Sequence, residues 1–367
     1  MPLRRCAMAP AARAWTVAGR WGARSTHGQL CALPTPWRGT VAAASVSHTV
    51  LVDGDQVLAA GQNGAGQLGT QTTCSEHWHV AAWQAPEPIQ YAAAGMGFTV
   101  LGAPRALYAC GTNVRGQLGG GTALEHSTLV RLPWPRDAAI EGVAAGLDHA
   151  LVLTRDAAGV QSVYAWGLNT DGQLGDPSAG AWTPVLRRAA IPLGPKERLV
   201  RVAAGGDTSA ALTDHGRLFV WGNTEYGQAL QPTSPAEQEA VPVLATALPP
   251  RICDVQLGGS FVLLLDDDGT LHAAGYGATG HPGTAHTPVP LPLGERIVRV
   301  HAGLHYAAAI TEDGHLYTWG LDTPEGRLAQ GSLADRRVQR PRRVAAAAGA
   351  VDVVCGGASL LVRSAAA

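Results

Sequence analysis

The stretch AWGLNTDGQLG, residues 165–175, decides the fold because versions of it recur along the chain. The other copies begin at Arg20, Ala59, Ala109, Val220, Ala273 and Thr318. In every copy a first glycine is followed by a second one five or six residues later. The first glycines are Gly22, Gly61, Gly111, Gly167, Gly222, Gly275 and Gly320. Seven copies of one loop indicate a repeat protein.

A second string precedes most of these loops, and its best version is VAAGLDHALVLT, residues 143–154. The position that a histidine holds there is occupied along the chain by His48, Phe98, His149, Thr208, Phe261, Tyr306 and Ser359. These positions are about 52 residues apart on average. Short apolar runs joined by turns such as Asp268-Gly269 read as β-hairpins. Seven such units predict an all-β, seven-bladed β-propeller.

The two ends of the chain predict how the ring closes. The chain begins with an isolated Trp21-Gly22 copy and ends with an isolated strand string at 355–362. We expect both termini to build one shared blade, so that no blade exposes an unpaired edge. The propeller should span residues 14–367, preceded by a basic arm at 1–13.

The composition is that of a folded protein with many turns. Glycine (46) and proline (24) are abundant, 46% of residues are apolar and 15% are charged, which argues against broad disorder. The six cysteines form no CxxC pair, so we expect mostly buried, reduced thiols. No segment is apolar enough for a transmembrane helix. The net charge of −1 gives no overall attraction to polyanions.

The amino-terminal segment has no acidic residue before Asp53 but contains six arginines. Such a segment resembles a mitochondrial presequence, and an ordinary basic terminus is the alternative. Cleavage beyond about residue 13 would remove closing strands. We therefore predict a mitochondrial location, with the cytoplasm or nucleus as alternatives.

The strings AWGLNTDGQLG and VAAGLDHALVLT resemble the repeat of the regulator of chromosome condensation family over about residues 14–367. The resemblance implies a seven-bladed β-propeller. The founding member is an exchange factor for the small GTPase Ran, and it uses acidic and histidine residues on one face together with a protruding β-wedge. Here Asp148 and Asp207 hold the acidic position, and no insertion supplies a wedge. The other blades have Ser47, Gly97, Ser260, His305 and Ala358 at that position.

Most repeated residues are expected to be structural. The glycines suit tight turns, and the glutamine after the second glycine can bind backbone groups of the loop. His48 and His149 are expected to tie a strand to a neighbouring loop. Trp166, Trp221 and Trp319 are expected to pack between blades.

The sequence contains no GxSxG, Walker or HExxH motif, so we predict no catalytic residue and no cofactor. Cys74, His77 and His79 offer at most three ligands and lack a second pair. We therefore predict no metal site.

The densest charged feature is DRRVQRPRRV from Asp335. Its cations are Arg336, Arg337, Arg340, Arg342 and Arg343. One interpretation is a solvated loop between blades. The other is a contact for an acidic protein face, RNA or an anionic lipid headgroup, because guanidinium groups suit carboxylates and phosphates. The long connections 70–89 and 231–250 are further possible partner surfaces.

Three functions remain open. The first is a non-enzymatic, protein-binding propeller scaffold, such as a mitochondrial assembly factor or a GTPase-associated factor. The second is guanine-nucleotide exchange on a small GTPase through the face that bears Asp148 and Asp207. The third is nucleic-acid binding through Arg336–Arg343. The sequence does not name the partner.

Overall fold

A computed structural model describes residues 14–21, 24–33, 37, 39–71, 79–120, 124–134, 138–233, 236–278, 280 and 284–365. The described residues form seven antiparallel sheets, which are the blades of a propeller. The innermost strand of each blade contacts that of the next, and the last contacts the first, so the blades close a ring. The predicted seven-bladed β-propeller is confirmed.

Six blades have four strands that run from the central channel to the rim. Blade 1 contains β4 (Val41–Ala44), β5 (His48–Asp53), β6 (Gln56–Gly61) and β7 (His79–Gln84). Blade 2 contains β8 (Tyr91–Gly95), β9 (Phe98–Ala103), β10 (Ala106–Thr112) and β11 (Glu125–Arg131). Blade 3 contains β12 (Ala139–Ala145), β13 (His149–Arg155), β14 (Gln161–Leu168) and β15 (Trp182–Ala189).

The next three blades repeat this order of strands. Blade 4 contains β16 (Leu199–Gly205), β17 (Thr208–Thr213), β18 (Leu218–Asn223) and β19 (Gln238–Leu244). Blade 5 contains β20 (Ile252–Leu257), β21 (Phe261–Asp266), β22 (Leu271–Gly275) and β23 (Ala285–Pro290). Blade 6 contains β24 (Ile297–Ala302), β25 (Tyr306–Thr311), β26 (Leu316–Leu321) and β27 (Arg337–Arg343).

Blade 7 is built from both ends of the chain, as the sequence predicts. Its carboxy-terminal strands are β28 (Ala350–Cys355) and β29 (Ser359–Ser364), and its amino-terminal strands are β1 (Ala14–Trp21), β2 (Arg24–Ser25) and β3 (Cys31–Ala32). Strand β1 pairs with β29 over six residue pairs, from Ala14↔Ser364 to Gly19↔Ser359. This pairing removes the open edges that an unclosed ring would expose.

The hydrophobic core lies between neighbouring blades, where buried tryptophans pack. Trp166 of blade 3 is fully buried among side chains of blade 2 such as Phe98 and Leu107. Its Nε1 donates a hydrogen bond to the Gln117 carbonyl oxygen, 2.7 Å away. Trp221 binds the Gln173 carbonyl in the same way at 2.8 Å. Each tryptophan therefore buries its ring and satisfies its one donor against the preceding blade.

The two faces of the ring have different connections. One face, here called the loop face, carries the turn after each inner strand and the glycine loop after each third strand. The opposite face, here called the hairpin face, carries the turns between second and third strands, such as 214–216 and 313–314. The loops and turns that hold the sequence repeats therefore lie on the loop face.

The arginine segment does not form a loop, which corrects one of its two interpretations. Residues Arg337–Arg343 form β27, the outer strand of blade 6, which pairs with β26. The register shifts between Thr318 and Gly320, so β27 bulges there. Pro341 is tolerated because an outer strand needs ladder hydrogen bonds on one side only.

The four described cysteines are free thiols. Cys110 and Cys355 are buried, Cys253 is half-buried and Cys31 is exposed. Cys6 and Cys74 lie outside the described residues. Among the described residues, no helix has the length and apolarity needed to cross a membrane.

Candidate functional site

The glycine loops are held by hydrogen bonds from their own polar side chains. In blade 3, Asn169 Oδ1 accepts from the Leu174 amide at 3.0 Å, and Gln173 Oε1 accepts from the Asp171 amide at 2.9 Å. Gly172 has a φ of 84° and its Cα faces Ala240, where an added Cβ would lie 2.5 Å from the Ala240 Cα. The loop therefore requires glycine for its backbone angle and for its approach to blade 4.

The same glutamines bond to the acidic residues that the sequence singled out. Gln117 Nε2 donates to Asp148 Oδ1 at 2.8 Å, and Gln173 Nε2 donates to Asp207 Oδ1 at 3.1 Å. Asp148 and Asp207 are half-buried in the turns that follow the inner strands of blades 3 and 4. Each carboxylate thus joins its own blade to the glycine loop of the preceding blade.

These carboxylates form one electrostatic group on the loop face. Burial raises the pKa of Asp207, the hydrogen bond from Gln173 opposes the shift, and the charges of Asp171 and Asp148 add to it. Asp171 Oδ1 also accepts a hydrogen bond from Asn223 Nδ2 in blade 4, at 3.2 Å. Blades 3 and 4 therefore present negative charge to solvent at one place. An approaching cation would stabilise these carboxylates in their charged form.

The repeated histidines lie beneath the turns and bind the next blade. His149 Nε2 lies 2.9 Å from Ser209 Oγ, and His48 Nε2 lies 2.6 Å from Thr99 Oγ1. Burial lowers the pKa of His48 to about 3 and that of His149 to about 4. Both rings are neutral at physiological pH and connect adjacent blades.

The first glycine of each described repeat copy also adopts a backbone angle that favours glycine. Positive φ angles occur at Gly61, Gly111, Gly167, Gly222, Gly275 and Gly320. Gly22 lies outside the described residues.

The loop face also exposes large apolar side chains, which sequence reasoning missed. Trp182 is 47% exposed at the start of β15, and Leu124 is 68% exposed beside the glycine loop of blade 2. Others on this face are Val80, Met96, Val114, Tyr276 and Leu321. Among the described residues, the large apolar side chains exposed near the hairpin face include Val160 and Val200. The loop face thus has more of the side chains that anchor protein interfaces.

An aromatic pair bridges two blades on the loop face. The rings of Tyr226 in blade 4 and Tyr276 in blade 5 stack with centroids 5.6 Å apart and an interplanar angle of 26°. Tyr276 is 46% exposed. No sequence signal marks this pair, because the two residues occupy different positions of their repeats.

The central channel holds charges that neutralise one another. A cavity of about 370 Å³ is lined by the inner strands. Arg201 Nη1 lies 2.8 Å from Asp254 Oδ1 at the wall, and Asp352 Oδ2 lies 2.9 Å from Arg363 Nη2. Burial raises the pKa of Asp254, while Arg201 and Arg299, which both line the channel, oppose that shift. Because the two carboxylates Asp254 and Asp352 each lie beside an arginine, the channel is a less suitable docking site for a basic partner than the loop face.

One cluster of potential metal ligands occurs in the described residues, on the hairpin face. It consists of Glu295, Asp313 and His315. His315 Nδ1 lies 2.6 Å from Glu295 Oε2, and the Tyr317 hydroxyl donates to Glu295 Oε1 at 2.5 Å. Both carboxylate oxygens of Glu295 are therefore already engaged by protein groups. Cys74 and His77 lie outside the described residues, as does the side chain of His79.

The structure separates the two sets of residues that the sequence proposed for partner binding. Asp148 and Asp207 lie on the loop face of blades 3 and 4, whereas Arg336–Arg343 lies on the outer rim of blade 6. The two sets therefore cannot belong to one compact site.

Comparison with known families settles the relationship that the repeats suggest. The sequence model of the RCC1-like domain matches residues 21–362. The chain belongs to the RCC1-like domain family. The match begins at the last residue of β1 and ends within β29, so it includes strands from all seven blades of this RCC1-like propeller.

Two curated relatives match part of the RCC1-like propeller. Human E3 ubiquitin-protein ligase HERC2 is 34% identical over 232 residues, which cover 58% of this chain and 5% of HERC2. The human RCC1-like G exchanging factor-like protein is 30% identical over 233 residues, which cover 60% of this chain and 48% of that protein. This chain thus spans less than half the length of either relative.

A solved structure shows the same fold. The crystal structure of Prp20p from Saccharomyces cerevisiae, described with its binding to Gsp1p and histones, superposes with a TM-score of 0.77 at 20% identity. The superposition covers 98% of this chain and 93% of Prp20p. It supports the architecture of the RCC1-like propeller and not a particular partner.

Proposed function

We propose that this RCC1-like propeller is a non-enzymatic scaffold that binds a protein partner on its loop face. The observation that carries the proposal is the combination, on this face, of exposed apolar side chains with the carboxylates of blades 3 and 4. Apolar anchors surrounded by polar groups are the usual composition of a protein interface. The expected partner presents a basic and partly apolar surface.

Affinity purification with matched variants tests this proposal. Trp182→Ser and Tyr276→Ser remove two apolar side chains from the loop face, and Val160→Ser and Val200→Ser serve as controls near the hairpin face. We expect partners captured by the wild type to be lost from the loop-face double variant and kept by the control. Equal capture by both double variants would contradict the proposal.

A mitochondrial location is part of the same proposal. The arginine-bearing, acid-free segment before Asp53 supports it. Imaging of a full-length fusion, with the tag at the carboxy terminus, should show mitochondrial signal that is lost when residues 1–13 are removed. Nuclear signal alone would contradict a mitochondrial role and leave the docking face unaffected.

Guanine-nucleotide exchange on a small GTPase is the second candidate function. The carboxylates of Asp148 and Asp207 favour it, as does the similarity to a relative named a G exchanging factor-like protein. Such a factor would bind on the loop face and speed nucleotide release without catalysing a covalent step.

Release of a fluorescent guanine nucleotide from a panel of small GTPases tests this candidate. We expect Asp148→Asn and Asp207→Asn to slow release, because the amide oxygen can still accept the glutamine hydrogen bond while the negative charge is lost. Unchanged release at saturating wild-type protein would exclude exchange for the GTPases tested.

A further inference from the structure

The outer strand of blade 6 turns every one of its arginines towards solvent. The half-buried residues of β27 are Val338 and Pro341, and Val344 just beyond it is buried. This spacing of three, instead of the usual two of a strand, follows from the bulge. The exposed residues are Arg336, Arg337, Gln339, Arg340, Arg342 and Arg343.

The five guanidinium groups have no acidic partner among the described residues. Among the described residues, the arginines that form ion pairs with acidic side chains are Arg155, Arg201, Arg217, Arg251 and Arg363. Arg336 and the four arginines of β27 therefore keep their positive charges available. At about 3.3 Å per residue, the segment from Arg336 to Arg343 is a strip of roughly 20 Å with five cations.

Acidic residues flank the strip at both ends. At the loop face, Asp335 Oδ1 accepts from the Arg337 amide at 3.2 Å, and the Asp322 amide donates to the Arg336 carbonyl at 2.7 Å. At the hairpin face, Arg343 pairs with Tyr317, whose hydroxyl donates to Glu295. A broad anionic surface such as a bilayer would meet these carboxylates together with the arginines. A narrow anionic chain would not.

The strip is poorly suited to a peptide partner. Pro341 has no amide hydrogen and the strand bulges, so a second β-strand cannot continue the sheet at this edge. Among the described residues, no large apolar side chain of β27 is exposed, although the exposed Leu321 pairs with Arg337 at the loop-face end of the strip. Away from that end, a protein interface would lack an apolar anchor on the strip.

We propose that β27 binds the phosphodiester backbone of a single-stranded nucleic acid without reading its bases. Guanidinium groups bind phosphate oxygens through two parallel hydrogen bonds. Because no exposed aromatic side chain lies on the described strip, affinity would come from charge and not from base stacking. This site on the rim is separate from the loop face, so a protein partner and a nucleic-acid strand could be held together.

Fluorescence polarisation with a twelve-nucleotide oligouridylate, using the full chain, tests the proposal. For single strands, the logarithm of the binding constant falls by about 0.7 per phosphate contact for each decade of salt. Five phosphate contacts give a slope no steeper than about −3.5. The triple variant Arg337→Gln, Arg340→Gln, Arg342→Gln keeps two of the five arginines, and its slope should be about −1.4. We expect the triple variant to bind at least about tenfold more weakly at low salt.

Two exposed arginines on other outer strands provide the matched control. Arg131 ends β11 and Arg188 lies in β15, and Arg131→Gln with Arg188→Gln should leave the affinity and salt slope unchanged. An oligothymidylate of equal length distinguishes RNA from DNA as the source of the phosphodiester.

Three results would overturn the proposal. The first is that the wild type binds neither oligonucleotide. The second is that the triple variant binds as tightly as the wild type while its unfolding temperature is unchanged. The third is that the protein binds phosphatidylglycerol vesicles through these arginines but binds no oligonucleotide. This experiment does not use a protein partner, so a negative result leaves the proposal of protein binding on the loop face unaffected. Failure of the loop-face proposal likewise leaves the proposal for β27 unaffected.

Discussion

Gln173 Nε2 lies 3.1 Å from Asp207 Oδ1, so the glycine loop of blade 3 is bonded to the turn of blade 4. The glutamine side chain is fully buried, and its Oε1 accepts from the backbone of its own loop. One residue thus fixes the shape of a loop and its attachment to the next blade. Hydrogen bonds of this kind, between Gln117 and Asp148 and between Gln173 and Asp207, fix the loops of the loop face to the neighbouring blades.

Gln173→Ala should destabilise the RCC1-like propeller by about 1–3 kcal/mol, because it leaves buried polar groups without partners. Gln228→Ala is the matched control. Gln228 holds the same repeat position, but its Nε2 has no hydrogen-bond partner among the described residues. We expect a smaller loss for Gln228→Ala in urea unfolding, and equal losses would show that the bond to Asp207 adds nothing.

Stability should fall as the pH is lowered below about 6.5. Burial lowers the pKa of His149 to about 4 and that of His48 to about 3, so between pH 6.5 and 4 the unfolded chain binds protons that the folded protein does not. Each histidine then contributes up to about 1.4 kcal/mol of lost stability per pH unit.

The histidine contribution is measured from the free energy of unfolding at several pH values. His149→Gln should reduce the slope between pH 6.5 and 4, whatever it does to the stability at pH 7. His215→Gln is the control, since that ring is exposed on the hairpin face. An unchanged slope in His149→Gln would contradict the assignment of a neutral, buried ring.

Removal of β1 should open the ring. A chain that begins at residue 22 loses the six residue pairs with β29 and the buried rings of Trp15 and Trp21. We expect it to unfold at a much lower temperature or to aggregate. A chain that begins at residue 14 should unfold like the full chain, and a similar loss in that variant would move the amino-terminal boundary of the propeller.

Arg327 replaces the usual glutamine in the glycine loop of blade 6. Its guanidinium group lies 4.4 Å from the centroid of the Tyr306 ring and donates to the carbonyls of Leu321 and Gly357. Arg327→Gln should therefore destabilise the contact between blades 6 and 7 by about 1–3 kcal/mol. Thermal unfolding checks this, with exposed Arg198→Gln as control, and an unchanged midpoint in Arg327→Gln would contradict it.

The sequence predicts the architecture well because the propeller repeats one local solution. A glycine with positive φ recurs in the described loops, and most copies add a glutamine or a buried tryptophan such as Trp166 where the loop packs on the next blade. The isolated strings at the two ends likewise predict blade 7. Each of these signals is local in sequence, and the repeat signals recur at similar intervals along the chain.

The exposed apolar side chains of the loop face could not be predicted in this way. Trp182 is an exposed residue at the start of an outer strand, and its sequence neighbours give no reason for exposure. Tyr226 and Tyr276 meet only because blades 4 and 5 are adjacent. From sequence alone, the strand at Arg337–Arg343 can be interpreted as a loop, because its bulge gives a spacing of three instead of strict alternation.

Site-specific photo-crosslinking in cells tests the central claim, that the loop face docks a protein, most directly. A photoreactive amino acid placed at Tyr276 on the loop face should crosslink to one discrete partner, and the same group at Val160 near the hairpin face should not. Crosslinking of that partner from Val160 but not from Tyr276 would contradict the account.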